Sequence, residues 1–388
     1  MILVAEMAFW GSVALVFYAY LGYPCALWAL SLFRSRPVRG AATGDEAPRV
    51  SFIITAHNEA ARIRDKIENT LAQDYPADAL EVLVASDCST DETDDIVREY
   101  SPRVRLVRAP ERRGKEAAQG LAVQSASGEI LIFSDVATAL ARDGVTTMVA
   151  NFADPTVGCA SSIDRFVDAD GRISGEGAYV RYEMSLRALE TRVNSLVGLS
   201  GSFFAARREV CRQWATDRQS DFSTLLSCVE AGLRGVLDPR TAGYYRNIAD
   251  DRRELDRKVR TVVRGMHVLA TNARMLNPFR HGLFAWELAS HKLCRWLVPF
   301  GMLIALISNV LVVSHSWLYG ATLAIQCGFY AAAAAGLWTR APFLRIPAYL
   351  LLANFAVLTA WLRFARGERV STWNPSSRLA ALPQTGAR

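Results

Sequence analysis

Charge falls along this chain in blocks. Met7 to Phe33 carries no Asp, Glu, Lys or Arg over 27 residues, and Trp296 to Thr339 carries only His315 over 44. At roughly 20 residues per crossing, the first block spans a bilayer once and the second twice. A third block, Ile346 to Leu362, has 17 uncharged residues with Pro347 among them, which is the lower limit for a span. Glu6 rather than a basic cluster precedes the first block, and no small-residue cleavage site ends it, so it reads as an anchor and not as a signal peptide. Arg34, Arg36 and Arg39 follow it at once. By the positive-inside tendency that side is cytosolic, and the amino terminus lies outside. Lys292 and Arg295, before the next block, agree.

Between these blocks the apolar residues come in short runs divided by polar loops. Val50–Ala56, Leu80–Ala85, Val104–Val107 and Glu129–Ser134 have strand length and buried-strand composition. Glu59–Gln73, with Ile63, Ile67 and Leu71 at helical spacing, and Lys115–Ser125 read as helices between them. Ser89-Thr-Asp-Glu92 has the form of a capping box opening a helix to Tyr100. Strands alternating with helices of this length imply an α/β domain with a mostly parallel sheet covered on both faces. Further on, strands are expected at Val157–Ile163 and Gly201–Ala206, helices at Tyr179–Thr191, Asp221–Ala231 and Arg253–Leu269, and a polar loop at Asp168–Gly177. His281–Lys292 suits a helix lying at the membrane interface, or an ordinary connecting helix. The domain plan is therefore an anchor (1–33), a linker (34–48), a cytosolic α/β domain (49–275), an interfacial helix (276–295), a carboxyl-terminal membrane region (296–366) and a tail (367–388).

Composition narrows the function. At 51% hydrophobic residues the chain is too apolar for disorder. Seven cysteines without a C-x-x-C pair indicate neither a disulfide frame nor a zinc site, which fits a reducing compartment. The net charge of +6 comes with no interleaved basic and aromatic pattern, so nucleic acid is not an expected partner. Only four of the 44 basic residues are lysines, at 66, 115, 258 and 292, which draws attention to each.

The candidate chemistry sits in the loops that follow the strands, because ligands of open α/β sheets bind at the carboxyl edge. The first strand is followed by Thr55-Ala56-His57-Asn58-Glu59, where free N–H groups of a helix start and the Asn58 amide face that edge; Asn58 also suits a helix cap. Asp87, after the second strand, is a hydrogen-bond acceptor for a base or ribose, or a turn residue. Lys115 follows Gly114 as a compact ammonium or a solvated surface residue, and Asp135 ends the fourth strand.

Four stretches in this order and spacing, Thr55-Ala-His-Asn-Glu59, Ser86-Asp-Cys-Ser-Thr-Asp-Glu-Thr93, Arg113-Gly-Lys115 and Ser134-Asp-Val-Ala137, resemble the catalytic domain of glycosyltransferase family 2, in its membrane-bound exopolysaccharide and glycolipid branch. The resemblance implies a GT-A-type, Rossmann-like domain between membrane helices, and transfer of a sugar with inversion from a nucleotide diphosphate sugar, usually of uridine, to a saccharide or lipid-linked acceptor. It places Thr55, Ala56, Asn58, Glu59, Asp87, Lys115 and Asp135 at the donor nucleotide. Asp135 matches the first acid of a D-x-D motif that holds Mg²⁺ or Mn²⁺ on the diphosphate, and Ala137 replaces the second acid. Asp221 in Ser220-Asp-Phe222 stands where the family carries its general base, or caps a helix. Gly201 and Ser202, in Gly198-Leu-Ser-Gly-Ser202, match an acceptor loop. Arg257 and Arg260 stand where relatives have Q-x-x-R-W, without its Gln and Trp, and serve the leaving group or an anionic lipid face. The expected setting is the inner or plasma membrane with the catalytic domain in the cytoplasm. The missing acid and the missing Trp support a rival, a non-catalytic subunit that keeps the fold to bind nucleotide or polysaccharide.

Overall fold

The computed structural model describes residues 1–39, 47–167, 178–246, 251–339 and 341–368. The loop expected at Asp168–Gly177 and the tail from Ser371 lie outside the described residues. The chain forms two compact units.

The first unit holds the described residues of Arg34–Ala249 with Ala270–Asn272. Its strands are β1 (Val50–Ala56), β2 (Leu80–Ser86), β3 (Val104–Arg108), β4 (Ile130–Asp135), β5 (Ala139–Leu140), β6 (Val157–Val167), β7 (Phe203–Arg207) and β8 (Arg234–Arg246). They form one sheet in the order β3-β2-β1-β4-β7-β6-β8-β5. β1 pairs in parallel with both β2 and β4, with Val50 opposite Leu80 and Ile130, so these strands all point their carboxyl ends to one edge. β7 runs antiparallel to β4, with Phe203 opposite Ser134, and the loop before β7 therefore arrives at that same edge. The sheet is mixed: its first half is parallel as expected, whereas β7 pairs antiparallel with both its neighbours.

The period of two divides the apolar residues between the faces. Phe52 and Ile54 of β1 join Ile63, Ile67 and Val82 on one side, and Ile53 joins Leu83, Leu131, Phe133 and Phe204 on the other. Every residue of β1 is buried, as a strand covered on both faces requires. Burying each such Ile or Phe contributes roughly 1.5–3 kcal/mol. The helices Ala60–Leu71 and Lys115–Ser125 fall where the periodicity places them.

Three expectations change. Ser89–Glu92 forms no capping box: the helix starts at Thr93, Glu92 makes no side-chain cap, and Asp91 accepts from the Thr93 N–H at 3.0 Å instead. The described part of the linker is fastened rather than free. Arg234 donates to the carbonyls of Arg36 (2.7 Å) and Pro37 (3.2 Å), and the Arg39 N–H donates to Asp154 (3.2 Å). β5 and β8 were not expected, because Asp238-Pro-Arg240 interrupts the apolar run of β8; pairing with β6 supplies what the local pattern lacks.

The second unit comprises the described residues of Met1–Phe33, Asp250–Leu269 and Ala273–Arg369. Asp250–Leu269, counted above with the α/β domain, thus belongs here. Among the described residues four helices are long and apolar enough to cross a membrane: Ile2–Phe33, Leu283–Val312, Trp317–Trp338 and Arg345–Ala365. The separate interfacial helix expected over 276–295 is not a separate element, since Leu283–Val312 runs on through a π-helical segment at Ala289–Cys294. The borderline block at 346–362 becomes a full helix of 21 residues.

Candidate functional site

The site is built at the carboxyl edge of β1, β2 and β4, from side chains that pin the loops to one another. Asp87, after β2, is fully buried, and its carboxylate accepts the N–H groups of Arg113 (2.9 Å) and Gly114 (3.1 and 3.0 Å to its two oxygens). Gly114 has φ +97°, which glycine adopts at little cost, and the clamp on its N–H fixes how Lys115 enters its helix. The Asp87 N–H donates to the Ala56 carbonyl at 2.9 Å, and His57 Nδ1–H donates to the Asp87 carbonyl at 2.7 Å. The loops after β1, β2 and β3 are thereby tied around one carboxylate.

Asn58 sits in the left-handed region (φ +53°) and caps no helix. Its amide accepts the Thr90 N–H at 2.8 Å and donates to the Thr90 hydroxyl at 3.2 Å, joining the β1 and β2 loops. Thr55 is buried and its hydroxyl accepts from Gln119 at 3.1 Å. Glu59 is buried beside Arg62; burial raises its pKa and the Arg62 charge opposes that.

Two lysines converge on the end of β4. Lys115 Nζ lies 2.5 Å from Asp135 Oδ1 and also donates to the Gly201 carbonyl at 3.1 Å. The Lys66 Nζ donates to the Ser134 hydroxyl (2.8 Å) and the Thr138 carbonyl (2.7 Å), the two ends of the turn that carries Asp135. Burial lowers the Lys66 pKa to about 7 against the opposing pull of the Asp135 charge. Lys66 was not among the candidates; the scarcity of lysine was the one signal that pointed to it.

Gly201 connects this end of the site to the next. A Cβ at Gly201 would lie 3.2 Å from Asp221 Oδ2, close enough that the carboxylate would have to shift slightly to make room. Gln219 donates to the same oxygen at 3.1 Å, and Asp221 opens the helix Ser220–Glu230. Ser202 lies beside Gly201: its carbonyl accepts the Asp135 N–H at 3.1 Å and its hydroxyl donates to Asp164 at 2.8 Å. Ser200 donates to the same Asp164 oxygen at 2.6 Å. Asp164, on β6, thus holds the 198–202 loop from behind; sequence reading missed it because the partners are 36 and 38 residues away. Lys115, Asp135, Gly201 and Asp221 therefore form one connected constellation. Arg257 and Arg260 lie in the second unit, on the helix Asp251–Thr271, where burial and the neighbouring Arg264 and Arg257 lower the Arg260 pKa.

A divalent cation fits this site on limited terms. Among the described residues no three His, Cys, Asp or Glu side chains gather as a metal cage. Asp135 is the only acid of its turn, and Mg²⁺ or Mn²⁺ bound to substrate phosphates needs just one or two carboxylates.

Residues 51–214 match the family model described as Glycosyl transferase family 2. The chain is similar to the succinoglycan biosynthesis protein ExoO of Rhizobium meliloti, with 33% identity over 222 residues, covering 53% of this chain and 62% of that protein. It is also similar to the beta-monoglucosyldiacylglycerol synthase of Synechocystis, with 31% identity over 144 residues, covering 34% and 30%. The chain thus spans less than two thirds of the length of these curated relatives. Among solved structures, the mannosyltransferase PcManGT from Pyrobaculum calidifontis, in complex with GDP-Man and Mn²⁺, has a TM-score of 0.73 at 25% identity, over 94% of this chain and 99% of that one. The fold is accordingly of GT-A type.

Proposed function

We propose, from the premise that this chain carries a glycosyl transferase family 2 domain, that it is an inverting membrane glycosyltransferase acting on a nucleoside diphosphate sugar and a saccharide or lipid-linked acceptor. The observation that carries the reading is the single constellation in which Lys115 touches both Asp135 and the Gly201 carbonyl, with Gly201 set against Asp221.

In this reading Asp221 accepts the proton of the acceptor hydroxyl as its oxygen attacks the anomeric carbon. The Gly201–Ser202 backbone leaves room for the acceptor ring beside it. Attack from the Asp221 side expels the nucleoside diphosphate on the opposite side, which inverts the anomeric centre. Lys115 takes up negative charge that develops on the departing diphosphate as a compact, strongly hydrated cation. Asp87 acts by holding the Arg113–Gly114 turn against the β1 loop, and with Thr55–Glu59 it shapes the nucleoside end. Asp135 is the residue that would hold Mg²⁺ or Mn²⁺, which when bound neutralises diphosphate charge.

Uridine is the expected base, from the family resemblance. The likeness to a protein solved with GDP-Man favours guanosine as a second reading. We place the catalytic unit in the cytosol, on the side of Arg34, Arg36 and Arg39.

Purified full-length protein offered a panel of UDP- and GDP-sugars should release nucleoside diphosphate from at least one of them. The Asp221→Asn variant should keep its nucleotide affinity and lose turnover by roughly 10²-fold or more. Full turnover in that variant would remove Asp221 as the base. Nucleotide binding without any release or transfer would favour the non-catalytic subunit, whose support is Ala137 in place of a second acid.

A further inference from the structure

Half of the chain's four lysines meet at one turn, and only one of the two has a carboxylate for a partner. Lys66 leaves the helix Ala60–Leu71 on its inward face, one turn from Ile63 and Thr70, and is 2% exposed. Its ammonium lies 5.2 Å from the centre of the Phe52 ring and donates to the Ser134 hydroxyl and the Thr138 carbonyl. Among the described residues no Asp or Glu lies within ion-pair distance of it. A buried cation held by neutral oxygens alone is expensive, and an apolar side chain of the same length would fill the space at lower cost. The fold keeps the cation at the one place where an acid would be expected to have a second acid beside it, the Asp135–Ala137 turn. When Lys66 is protonated, two ammonium groups face one carboxylate at this turn, a positive surplus that an anionic ligand offsets and that in return favours the protonated form.

We infer that Lys66 is a positioning residue of the donor-diphosphate site, holding the Ser134–Thr138 turn in shape from beneath and placing positive charge behind Asp135. The inference rests on the donor reading above. It adds a second built-in cation to a site whose acidic motif is half missing. Ser134 is part of the device, since its hydroxyl is one of the two oxygens that aim the ammonium. The Thr138 carbonyl is the other, and between them they fix both ends of the turn.

The test uses the full chain in detergent and compares Lys66→Met and Lys66→Gln with wild type. Thermal unfolding is followed, and calorimetry measures affinity for UDP and GDP and for the matching free nucleosides. Removing the buried charge and removing its hydrogen bonds to Ser134 and Thr138 act on stability in opposite directions, so the Met variant should unfold close to the wild-type temperature. Affinity for the nucleoside diphosphate should fall about tenfold or more, with nucleoside affinity held within about twofold. Lys66→Gln, which keeps a donor without the charge, should show the same selective loss. Unchanged diphosphate affinity in both variants would overturn the inference. So would a parallel loss of nucleoside and diphosphate affinity with a lowered unfolding temperature, which would make Lys66 a fold support. A wild-type protein that binds neither diphosphate would instead overturn the donor reading on which the inference stands.

Discussion

At the residue scale, single side chains in this site do two jobs each. Asp87 was expected to meet the nucleoside; it is buried on the N–H groups of Arg113 and Gly114, so its effect on a donor passes through the turn before Lys115. Gly201 shows how small the tolerances are. Its backbone needs no left-handed conformation, so an alanine there meets no conformational strain, only the Asp221 oxygen 3.2 Å away. Gly201→Ala should therefore push that carboxylate aside, lowering kcat about tenfold with the donor KM nearly unchanged, as expected for a group engaged in the transition state rather than in donor binding. Steady-state kinetics on the two proteins check this, and a shift confined to the donor KM would refute it.

At the element scale, the segment after Ile2–Phe33 is held in part by a buried ion pair. Arg234 and Asp154 are 3.2 Å apart with side chains 4% and 3% exposed, and both also bind the backbone of residues 36–39. Burial alone would raise the Asp154 pKa, but hydrogen bonds from Thr156, Arg39 and Arg234 outweigh it and bring it to about 2. A carboxyl whose folded pKa is depressed contributes stability that is complete above its unfolded pKa and is lost as pH falls through the folded one. Asp154→Asn leaves the Arg234 charge buried without its partner and should cost roughly 3 kcal/mol at neutral pH. The gap in unfolding temperature between wild type and variant should narrow as pH drops from about 4 towards 2. A gap that stays constant across this window would show that Asp154 is not the titrating group.

At the scale of the whole molecule, the helix count and the charge rule pull apart. Four crossings would put Arg363 and Arg366 on the side opposite Arg34, Arg36 and Arg39, against the positive-inside tendency. Contacts within the helical unit bear on this. Lys258 lies 4.3 Å from the centre of the Tyr349 ring, near the start of Arg345–Ala365, and His267 packs on Phe364 and donates to the Glu368 carbonyl (3.0 Å) at its end. The helix Asp251–Thr271 that supplies both contacts carries Asp256, Arg257, Lys258, Arg260 and Arg264, which are costly inside a bilayer. The carboxyl-terminal end of Arg345–Ala365 is expected on the side of this charged helix, while Asn354 and Trp361 fasten the helix to its apolar neighbours through the Tyr20 hydroxyl (3.0 Å) and the Trp296 carbonyl (2.8 Å). A phosphatase fused after Arg388, active only outside the cytosol, should be inactive, and a fluorescent protein at the same place should glow. An active phosphatase would mean that Arg345–Ala365 crosses.

What the sequence determined by itself is whatever depends on near neighbours in the chain. Strand runs such as Val50–Ala56, the 3.6-residue period of Ile63 and Ile67, and the polar loops that end each strand fixed β1 to β4 and the edge at which ligands would gather. The long uncharged blocks likewise announced the apolar helices, since length and the absence of charge are local properties. What only the tertiary structure decided is who meets whom at that edge. Lys66 reaches Ser134 across 68 residues, Lys115 reaches Gly201 across 86, and Arg234 reaches Arg36 across 198. β8 was invisible for the same reason, because a strand broken by Pro239 is recruited by its partner β6 and not by its own pattern. Periodicity records which face of an element is buried, but the partner of a buried charge is set by how the chain folds back on itself.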